Sequence, residues 1–227
     1  MNPEIFTQNI VARFGPIPIT MTMITSLLTT LVVLALGGGL GWAIVHRPEG
    51  RCAAAGRLLM GFLDDLVRDA AGRPSPGLVV FSASLFLFIS TSAVLGQLPG
   101  IAAPTSDLAA TNALAIVVFL AVPIVGIQSR GLWGYLKHYF LPNPVLFPLH
   151  VISELSRTLA LALRLFGNMM SGHLVVSLIV ALVGVIVPVP LMALDLLIGF
   201  LQAYIFTVLA SVYIGAAFRV GEEGGHE

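Results

Sequence analysis

Residues 156–187 read Ser156-Arg-Thr-Leu-Ala-Leu-Ala-Leu-Arg164-Leu-Phe-Gly-Asn168-Met-Met-Ser-Gly-His173 and then continue as an apolar run to Val187. An arginine side chain stays protonated in proteins, so Arg164 is charged wherever the chain places it. At the centre of a membrane helix such a charge costs from ~2.5 to more than ~10 kcal/mol. The stretch therefore predicts a helix in a bilayer, with a charge that needs water, a partner or a function.

The composition of the whole chain supports a membrane protein. Of its 227 residues, 57% are hydrophobic and 10% are charged, and the mean hydropathy is +0.98. A soluble domain carries about 25% charged residues. Lys plus Arg and Asp plus Glu number 11 each, so the charge balance indicates neither nucleic acid nor an acidic partner. The single cysteine, Cys52, excludes an internal disulfide, and the N-terminus lacks the pattern of a signal peptide.

We predict an all-α integral membrane protein with about five transmembrane helices in one membrane domain, residues 1–227. The predicted elements are a first span at 17–45, an amphipathic helix at 49–72, spans at 78–95 and 108–127, and a long helical hairpin of 144–187 and 191–218. Beyond Pro148 near its start, no strong helix breaker interrupts the 44 residues 144–187. As one helix they would extend about 65 Å, twice a ~30 Å hydrocarbon core. This helix is therefore tilted, broken or partly outside the membrane.

Shorter segments connect these spans. Pro123 predicts a kink near the end of the third span, and the aromatic and basic residues of 128–143 predict a short segment at the membrane interface. Gly184, Pro188 and Pro190 predict the turn of the hairpin. The helix at 49–72 has an apolar and a charged side, which suits a helix at the membrane surface or against a soluble partner. A solvated loop helix is the alternative.

The basic residues predict the orientation of the chain. Arg47, Arg51, Arg57, Arg68 and Arg73 follow the first span, Arg130 and Lys137 follow the third, and Arg219 follows the last. The loops at 96–107 and 184–190 contain no Lys or Arg. With the N-terminus outside, five spans place every basic cluster in the cytoplasm, and only Arg13 disagrees. We therefore expect a cytoplasmic C-terminus and a cytoplasmic amphipathic helix.

Polar residues in the last two helices are the candidate functional residues, because ionisable groups in apolar helices usually have a function. These residues are His150, Glu154, Arg157, Arg164, Asn168, His173, Asp195 and Gln202. At ~100° per residue, Arg157, Arg164 and Asn168 fall within roughly 60° of one another. His173 points to roughly the opposite face, about 13 Å from Arg164 along the axis.

An antiparallel hairpin can bring two pairs of these residues together in one register. Pairing His173 with Asp195 centres the hairpin on residue 184, and pairing Arg164 with Gln202 centres it on residue 183. A His–Asp pair can exchange protons near neutral pH, or it can be a buried structural pair. Arg164 cannot relay protons, but it can favour the ionised form of a carboxylate. A fixed cation apart from titratable groups would separate two proton pathways.

The Arg164 motif, residues 161–173, and the run Leu201-Gln-Ala-Tyr-Ile-Phe-Thr-Val-Leu-Ala-Ser-Val-Tyr213 closely resemble subunit a of the membrane sector of rotary ATP synthases. The loop Leu98-Pro-Gly with Pro104-Thr-Ser-Asp107 and the segment Asn143-Pro-Val-Leu-Phe-Pro are similar to that family too. Together these matches cover roughly residues 75–215.

The resemblance implies a stator subunit of the bacterial inner membrane, beside a ring of c subunits that each bear an essential carboxylate. Protons would enter and leave the ring by two half-channels, and the two last helices would be strongly tilted along the ring. Arg164 matches the essential arginine that separates the half-channels, Asn168 the asparagine of the motif and Gln202 the glutamine of the last helix. The other implied partners are b-type peripheral stalk subunits and the remaining subunits. No catalytic site, cofactor, metal or nucleic acid is implied.

The sequence departs from the family pattern at two places. Many bacterial members have Glu at the position of His173 and His at that of Asp195, so acid and base are exchanged here, which keeps a relay feasible. The family often has Glu at the position of His150, whereas this chain has Glu154 one turn later. Both are candidates for lining a half-channel. The pattern also suggests a divergent bacterial branch with some sodium-moving members, and the His–Asp pair favours protons.

Two other functions remain open at this stage. A stand-alone secondary transporter could use the intramembrane arginine to bind an anionic substrate, but such proteins commonly contain repeated halves, and no repeat is evident here. A structural membrane scaffold would leave Arg164 unexplained. The chain has no phosphate-binding G-x-x-x-x-G-K-[ST] loop, so we expect no nucleotide site.

Overall fold

A computed structural model describes residues 10–14, 17–72, 75–98, 103–140, 146–184 and 188–223. Side chains of residues 10–19, 129–148, 150, 151, 183 and 217–223 lie outside that description. The elements are β1 (Ile10–Phe14), β2 (Ile17–Thr20), α1 (Met21–His46), α2 (Arg51–Ala71), α3 (Pro76–Gly96), a 3-10 turn (Pro104–Ser106), α4 (Leu108–Phe140), α5 (Leu146–Val183) and α6 (Val189–Glu223).

Five helices of the described chain are long and apolar enough to cross a membrane. Their candidate spans are Met21–His46, Pro76–Gly96, Leu108–Gln128, Ile152–Leu182 and Val189–Ala216. About 20 residues suffice for a crossing. The predicted all-α membrane fold with five spans is therefore confirmed.

The first span begins later than predicted. Residues 17–20 form β2, which pairs antiparallel with β1, instead of starting the helix. Pro16 and Pro18 explain the difference, because proline fixes the backbone and lacks an N–H donor. Thr20 then caps α1, and its Oγ1 accepts a hydrogen bond from the Met23 backbone N–H at 3.4 Å. This β-hairpin of β1 and β2 is a feature that the apolar pattern did not predict.

Helix α4 is longer than predicted. The predicted span 108–127 agrees with the candidate span Leu108–Gln128. The interfacial segment predicted at 128–143 is not separate from it, because the same helix continues to Phe140. Pro123 lies inside this helix, and no further proline occurs before Pro142. The interfacial composition of 128–140 therefore belongs to the end of a continuous helix, because polarity alone does not stop one.

The two last helices form the predicted hairpin with slightly different ends. The run 144–187 becomes the single helix α5 of 38 residues, about 57 Å long. Gly184, at a φ of +87°, ends it in the left-handed region that favours glycine. Helix α6 begins at Val189, two residues before the predicted start, because Pro190 is tolerated in a first turn. The strong tilt of this hairpin stays a prediction.

Small residues bring α3 and α6 close together along their length. Near one end, the hydroxyls of Ser82 and Ser211 form a buried hydrogen bond of 2.9 Å. Near the C-terminal end of α3, a Cβ added to Gly199 would lie 2.6 Å from the Cβ of Ala93. Small residues allow such close packing of membrane helices. Helix α5 covers this pair, and the buried side chains of Leu165 and Phe206 join it to the core.

We expect Gly199→Val to destabilise this packing. The valine side chain would overlap Ala93, and overpacking a tight contact costs about 1–3 kcal/mol. The melting temperature of the chain, measured by the fraction that stays folded in detergent during heating, should therefore fall. Gly38→Val is the matched control, since a Cβ at Gly38 meets nothing within 4 Å. Equal melting temperatures for both variants would contradict the close contact.

The amphipathic helix α2 packs mainly on other helices of this chain. Its fully buried residues include Leu63 and Val67, and Ala71 lies against Gly215 of α6. On its charged side, Arg68 and Asp64 form an exposed ion pair of 3.1 Å. The predicted amphipathic helix is confirmed, and α1 and α6 cover much of its apolar side.

Candidate functional site

Helix α5 exposes one side and buries the other. Arg164, Arg157 and Ser171 are exposed and Asn168 is half-buried, whereas the opposite side packs into the core through Leu161, Ala162, Leu165 and Met169. Since α5 is one unbroken helix, its spacing of 3.6 residues per turn holds over this whole region. Around Arg164 this face therefore points away from the rest of the chain, whereas Arg157 on the same face reaches α6.

Arg164 makes no ion pair or hydrogen bond with any residue that the structure describes. Its neighbour Leu163 is 51% exposed, so the cation stands on an apolar surface within the candidate span Ile152–Leu182. A guanidinium in such a place needs water or an anionic partner. The described part of this chain supplies no such partner.

Arg157, two turns before Arg164, is held differently. Its guanidinium carbon lies 4.3 Å from the centre of the Tyr213 ring on α6. A cation over an aromatic face is stabilised by the ring's electron density. Arg157 therefore joins α5 to α6, although both arginines share one face of α5.

The register predicted for the hairpin is found in the structure. Three contacts between α5 and α6 join Gly172 to Asp195, Met169 to Gly199 and Arg157 to Tyr213. They are centred between residues 183 and 185, where the sequence predicted 183 or 184. Asp195 therefore lies level with residues 172 and 173 of α5.

Gln202 lies on the buried side of α6. Its side chain is 5% exposed, and its Nε2 has no hydrogen-bond partner among the described atoms. The register places it level with residues 165–168 of α5, but no hydrogen bond joins it to Arg164. An unpaired buried amide costs about 1–3 kcal/mol. Gln202 therefore keeps two donor hydrogens available beside the region of Arg164.

Three polar side chains meet where α3 ends and α6 begins, and we call Gln97, His173 and Asp195 the polar cluster. Nε2 of Gln97 donates a hydrogen bond of 2.7 Å to Oδ2 of Asp195. The Asp195 carboxylate packs against Gly172, where an added Cβ would lie 2.6 Å from Cγ. The His173 ring packs against Gly96, with Nε2 2.8 Å from a Cβ built there. All three cluster side chains are half-buried.

His173 and Asp195 lie in the same cluster but do not form a direct ion pair. An ion pair within 4.0 Å joins Arg68 and Asp64, but none joins His173 and Asp195. The carboxylate turns instead to Gln97 of α3. A proton that passes between His173 and Asp195 would need water or a side-chain rotation, and the relay stays a prediction.

Two further candidates lie near the other end of α5. Glu154 is half-buried, and its backbone carbonyl accepts a hydrogen bond of 3.0 Å from Oγ1 of Thr158. His150 falls within α5, but its side chain lies outside the described residues. A role for either residue in a half-channel therefore stays a prediction.

The sequence reading missed Gln97 as a functional candidate. It lies in the loop 96–107, which follows the predicted span 78–95 and contains no Lys or Arg. The available signal was a polar residue two positions after an apolar span, at the start of the loop. Within the described residues, no group of three or more His, Cys, Asp or Glu side chains could hold a metal ion.

The fold and the site together define a class. Five candidate spans, a long helical hairpin and an unpaired arginine on its outward face are features of a membrane protein that handles charge. Residues 14–215 match the sequence profile of the family described as ATP synthase A chain.

Relatives extend this match over almost the whole chain. ATP synthase subunit a 2 of Bradyrhizobium sp. (strain BTAi1 / ATCC BAA-1182) is 39% identical over 220 residues, which covers 96% of this chain and 97% of the relative. ATP synthase subunit a 1 of Chlorobium luteolum is also 39% identical over 220 residues, with 94% and 96% covered. ATP synthase subunit a 2 of a Picosynechococcus strain is 53% identical over 150 residues, with 66% and 64% covered.

This chain therefore belongs to the ATP synthase A chain family. The family is an ion-translocating component of the Fo membrane sector. The resemblance found in the Arg164 motif is confirmed.

Proposed function

We propose that this chain is the stator subunit a of a rotary ATP synthase and that it carries protons to and from a ring of c subunits. Arg164 separates two proton half-channels in this proposal. The observation that supports it most is that Arg164 is exposed within a membrane span and unpaired among the described residues. A carboxylate on a neighbouring helix would supply the negative charge that pairs with this cation.

The barrier function follows from the chemistry of the guanidinium. Arginine stays protonated, so it cannot pass a proton from one half-channel to the other. It favours the ionised form of any carboxylate that faces it. A ring carboxylate must therefore release its proton before it passes Arg164, and ion flow becomes coupled to ring rotation.

The polar cluster is the proposed end of one half-channel. His173 lies nine residues from Arg164, about 13 Å along α5, and Asp195 faces the same end of the hairpin. Both side chains can take up and release protons. His150 and Glu154, at the other end of α5, are candidates for the second half-channel, and Asn168 and Gln202 supply uncharged polar groups between the two.

The proposed partners are the c ring, a b-type peripheral stalk and the remaining ATP synthase subunits. The proposed location is a bacterial inner membrane, with the N-terminus outside and the C-terminus in the cytoplasm. Two of the relatives described above carry subunit a names, and this chain covers 97% and 96% of their lengths. This similarity favours the proposal over a stand-alone transporter.

Cysteine cross-linking tests whether the Arg164 face meets the ring. In a Cys52→Ala background, single cysteines at Ala160 and Ser171 lie within roughly 40° of Arg164 and should form disulfides with cysteines on a c subunit. Leu155→Cys and Leu159→Cys are matched controls, because these exposed positions line a cleft between α5 and α4 instead. The cross-linked product is measured by immunoblotting of oxidised membranes.

The pattern of products decides the outcome. Strong cross-links from the Arg164 face and weak ones from the control face would support the proposal. Equal products from both faces, or purification of the native complex without a c ring, would contradict it.

A further inference from the structure

We propose that Gln97 is a positioning residue that holds the carboxyl group of Asp195 in place through a cycle of proton uptake and release. The inference rests on the proposed function, since it gives Asp195 a role in proton transport. It concerns the C-terminal cap of α3, the helix that ends beside the α5–α6 hairpin. The observation that carries it is the hydrogen bond of 2.7 Å from Nε2 of Gln97 to Oδ2 of Asp195.

The backbone that carries Gln97 is fixed. Gln97 caps α3 with helical torsion angles of −77° and −12°. Its N–H donates to the carbonyl of Val94 at 3.2 Å, and the N–H of Leu98 donates to Leu95 at 3.1 Å. These bonds satisfy carbonyls at the end of the helix. The amide therefore extends from an anchored position and not from a free loop.

The carboxyl group of Asp195 is confined from two sides. Gly172 of α5 leaves just enough room for it, because a Cβ there would overlap the carboxylate. Gln97 of α3 contacts its other side through the hydrogen bond. Asp195 therefore sits between two helices while its own backbone belongs to a third.

An uncharged amide suits an acid that changes its protonation state. An ionised carboxylate only accepts hydrogen bonds, and the NH2 group of glutamine can donate to it. A protonated carboxyl group donates, and the carbonyl of the same amide can accept from it after a rotation. A lysine or arginine side chain has no acceptor for the proton of the neutral form. Gln97 can therefore hold Asp195 in both states.

The position of Gln97 also links the two titratable members of the polar cluster. His173 packs on Gly96, the residue directly before Gln97. At the end of α3, Gly96 thus contacts the imidazole and Gln97 contacts the carboxylate. By fixing the carboxyl group, Gln97 sets its distance from the imidazole.

The test compares proton pumping by complete ATP synthase in membrane vesicles, normalised to the assembled complex. Gln97→Leu keeps a similar volume and removes the amide, and we expect ATP-driven pumping to fall about tenfold, the loss expected when one hydrogen bond to an ionised acceptor is removed. Ser82→Ala is the matched control, because it removes another hydrogen bond between α3 and α6 far from the polar cluster. Its pumping rate should change by less than about twofold.

An exchange of the two side chains separates a positioning role from a packing role. Gln97→Asp shortens one partner by one methylene, and Asp195→Gln lengthens the other by one, so the hydrogen bond can form again beside His173. The double variant should pump faster than Asp195→Gln alone. A packing role for Gln97 predicts that the second substitution only adds further loss.

Each failure has its own signature. Normal pumping by Gln97→Leu together with lost pumping by Asp195→Asn would overturn this inference and leave the proposed function intact. Equal losses of pumping and of assembled complex in Gln97→Leu and Ser82→Ala would reduce Gln97 to a packing residue and overturn it too. Normal pumping by both Asp195→Asn and Arg164→Ala would overturn the proposed function and, with it, this inference.

Discussion

Replacement of Arg164 by alanine should abolish ATP-driven proton pumping while the complex still assembles. The side chain is exposed and unpaired among the described residues, so its removal leaves the packing of α5 intact. Under the proposed function, a ring carboxylate would lose the cation that favours its ionised form, and protons could leak between the proposed half-channels. The measurement is acidification of membrane vesicles after ATP addition, followed with a pH-sensitive dye.

Arg157→Ala is the matched control for this prediction. It removes the same charge from the same face of α5, two turns away, but from a side chain that rests on Tyr213. We expect reduced stability of the hairpin, since a cation–π contact contributes about 0.5–2 kcal/mol, with coupled pumping retained. Retained pumping in Arg164→Ala, or equal loss in both variants, would exclude the assigned barrier.

The second large effect is expected from Gly172→Ala. A single added Cβ would overlap the carboxylate of Asp195 and lie 2.6 Å from its Cγ. The carboxyl group must then move, which breaks its hydrogen bond to Gln97, or α5 and α6 must separate. We expect ATP-driven pumping to fall at least about tenfold, because the substitution breaks the hydrogen bond to Gln97 and also displaces the carboxyl group.

The control for Gly172→Ala is Gly38→Ala in α1, where a Cβ meets nothing within 4 Å. It introduces the same methyl group into a membrane helix and should leave pumping unchanged. The amount of assembled complex is measured for both variants by immunoblotting. Normal pumping by assembled Gly172→Ala would show that transport does not depend on where the Asp195 carboxyl group lies.

The hairpin could be predicted from the sequence because its polar residues constrain it strongly. Asp195 in one apolar helix and His173 in the other define a register, and Gly184 marks the turn. The structure has the same register and the same turn. Charges in apolar helices are few, so few arrangements can bring them together.

The polar cluster could not be completed in the same way. Gln97 belongs to a helix distant in sequence, and nothing in the local pattern shows that α3 packs against α6. That packing depends on small residues such as Ser82 and Gly199, which are common in membrane helices for many reasons. The spacing suggested a direct contact between His173 and Asp195, but Asp195 instead accepts a hydrogen bond from Gln97. Helix periodicity predicts which face a residue lies on and its height along the helix, but not the rotamer of its side chain.

The ends of the helices were the other feature that could not be predicted accurately from the sequence. The apolar run 17–45 begins before α1 because hydropathy does not distinguish a strand from a helix over four residues. Helix α4 continues to Phe140 although its last turns are polar and aromatic. Composition identifies what can lie in a membrane, whereas prolines and caps determine where a helix stops.

The contact between Arg157 and Tyr213 gives the two arginines of α5 different freedom of movement. Both side chains are equally long and both carry one positive charge, yet one is tethered to an aromatic ring 4.3 Å away and the other has no tether among the described residues. A guanidinium without such a contact can change its side-chain rotamer and so follow a moving anion. Arg157 is therefore held in place by α6, whereas Arg164 would be able to follow a passing ring carboxylate under the proposed function.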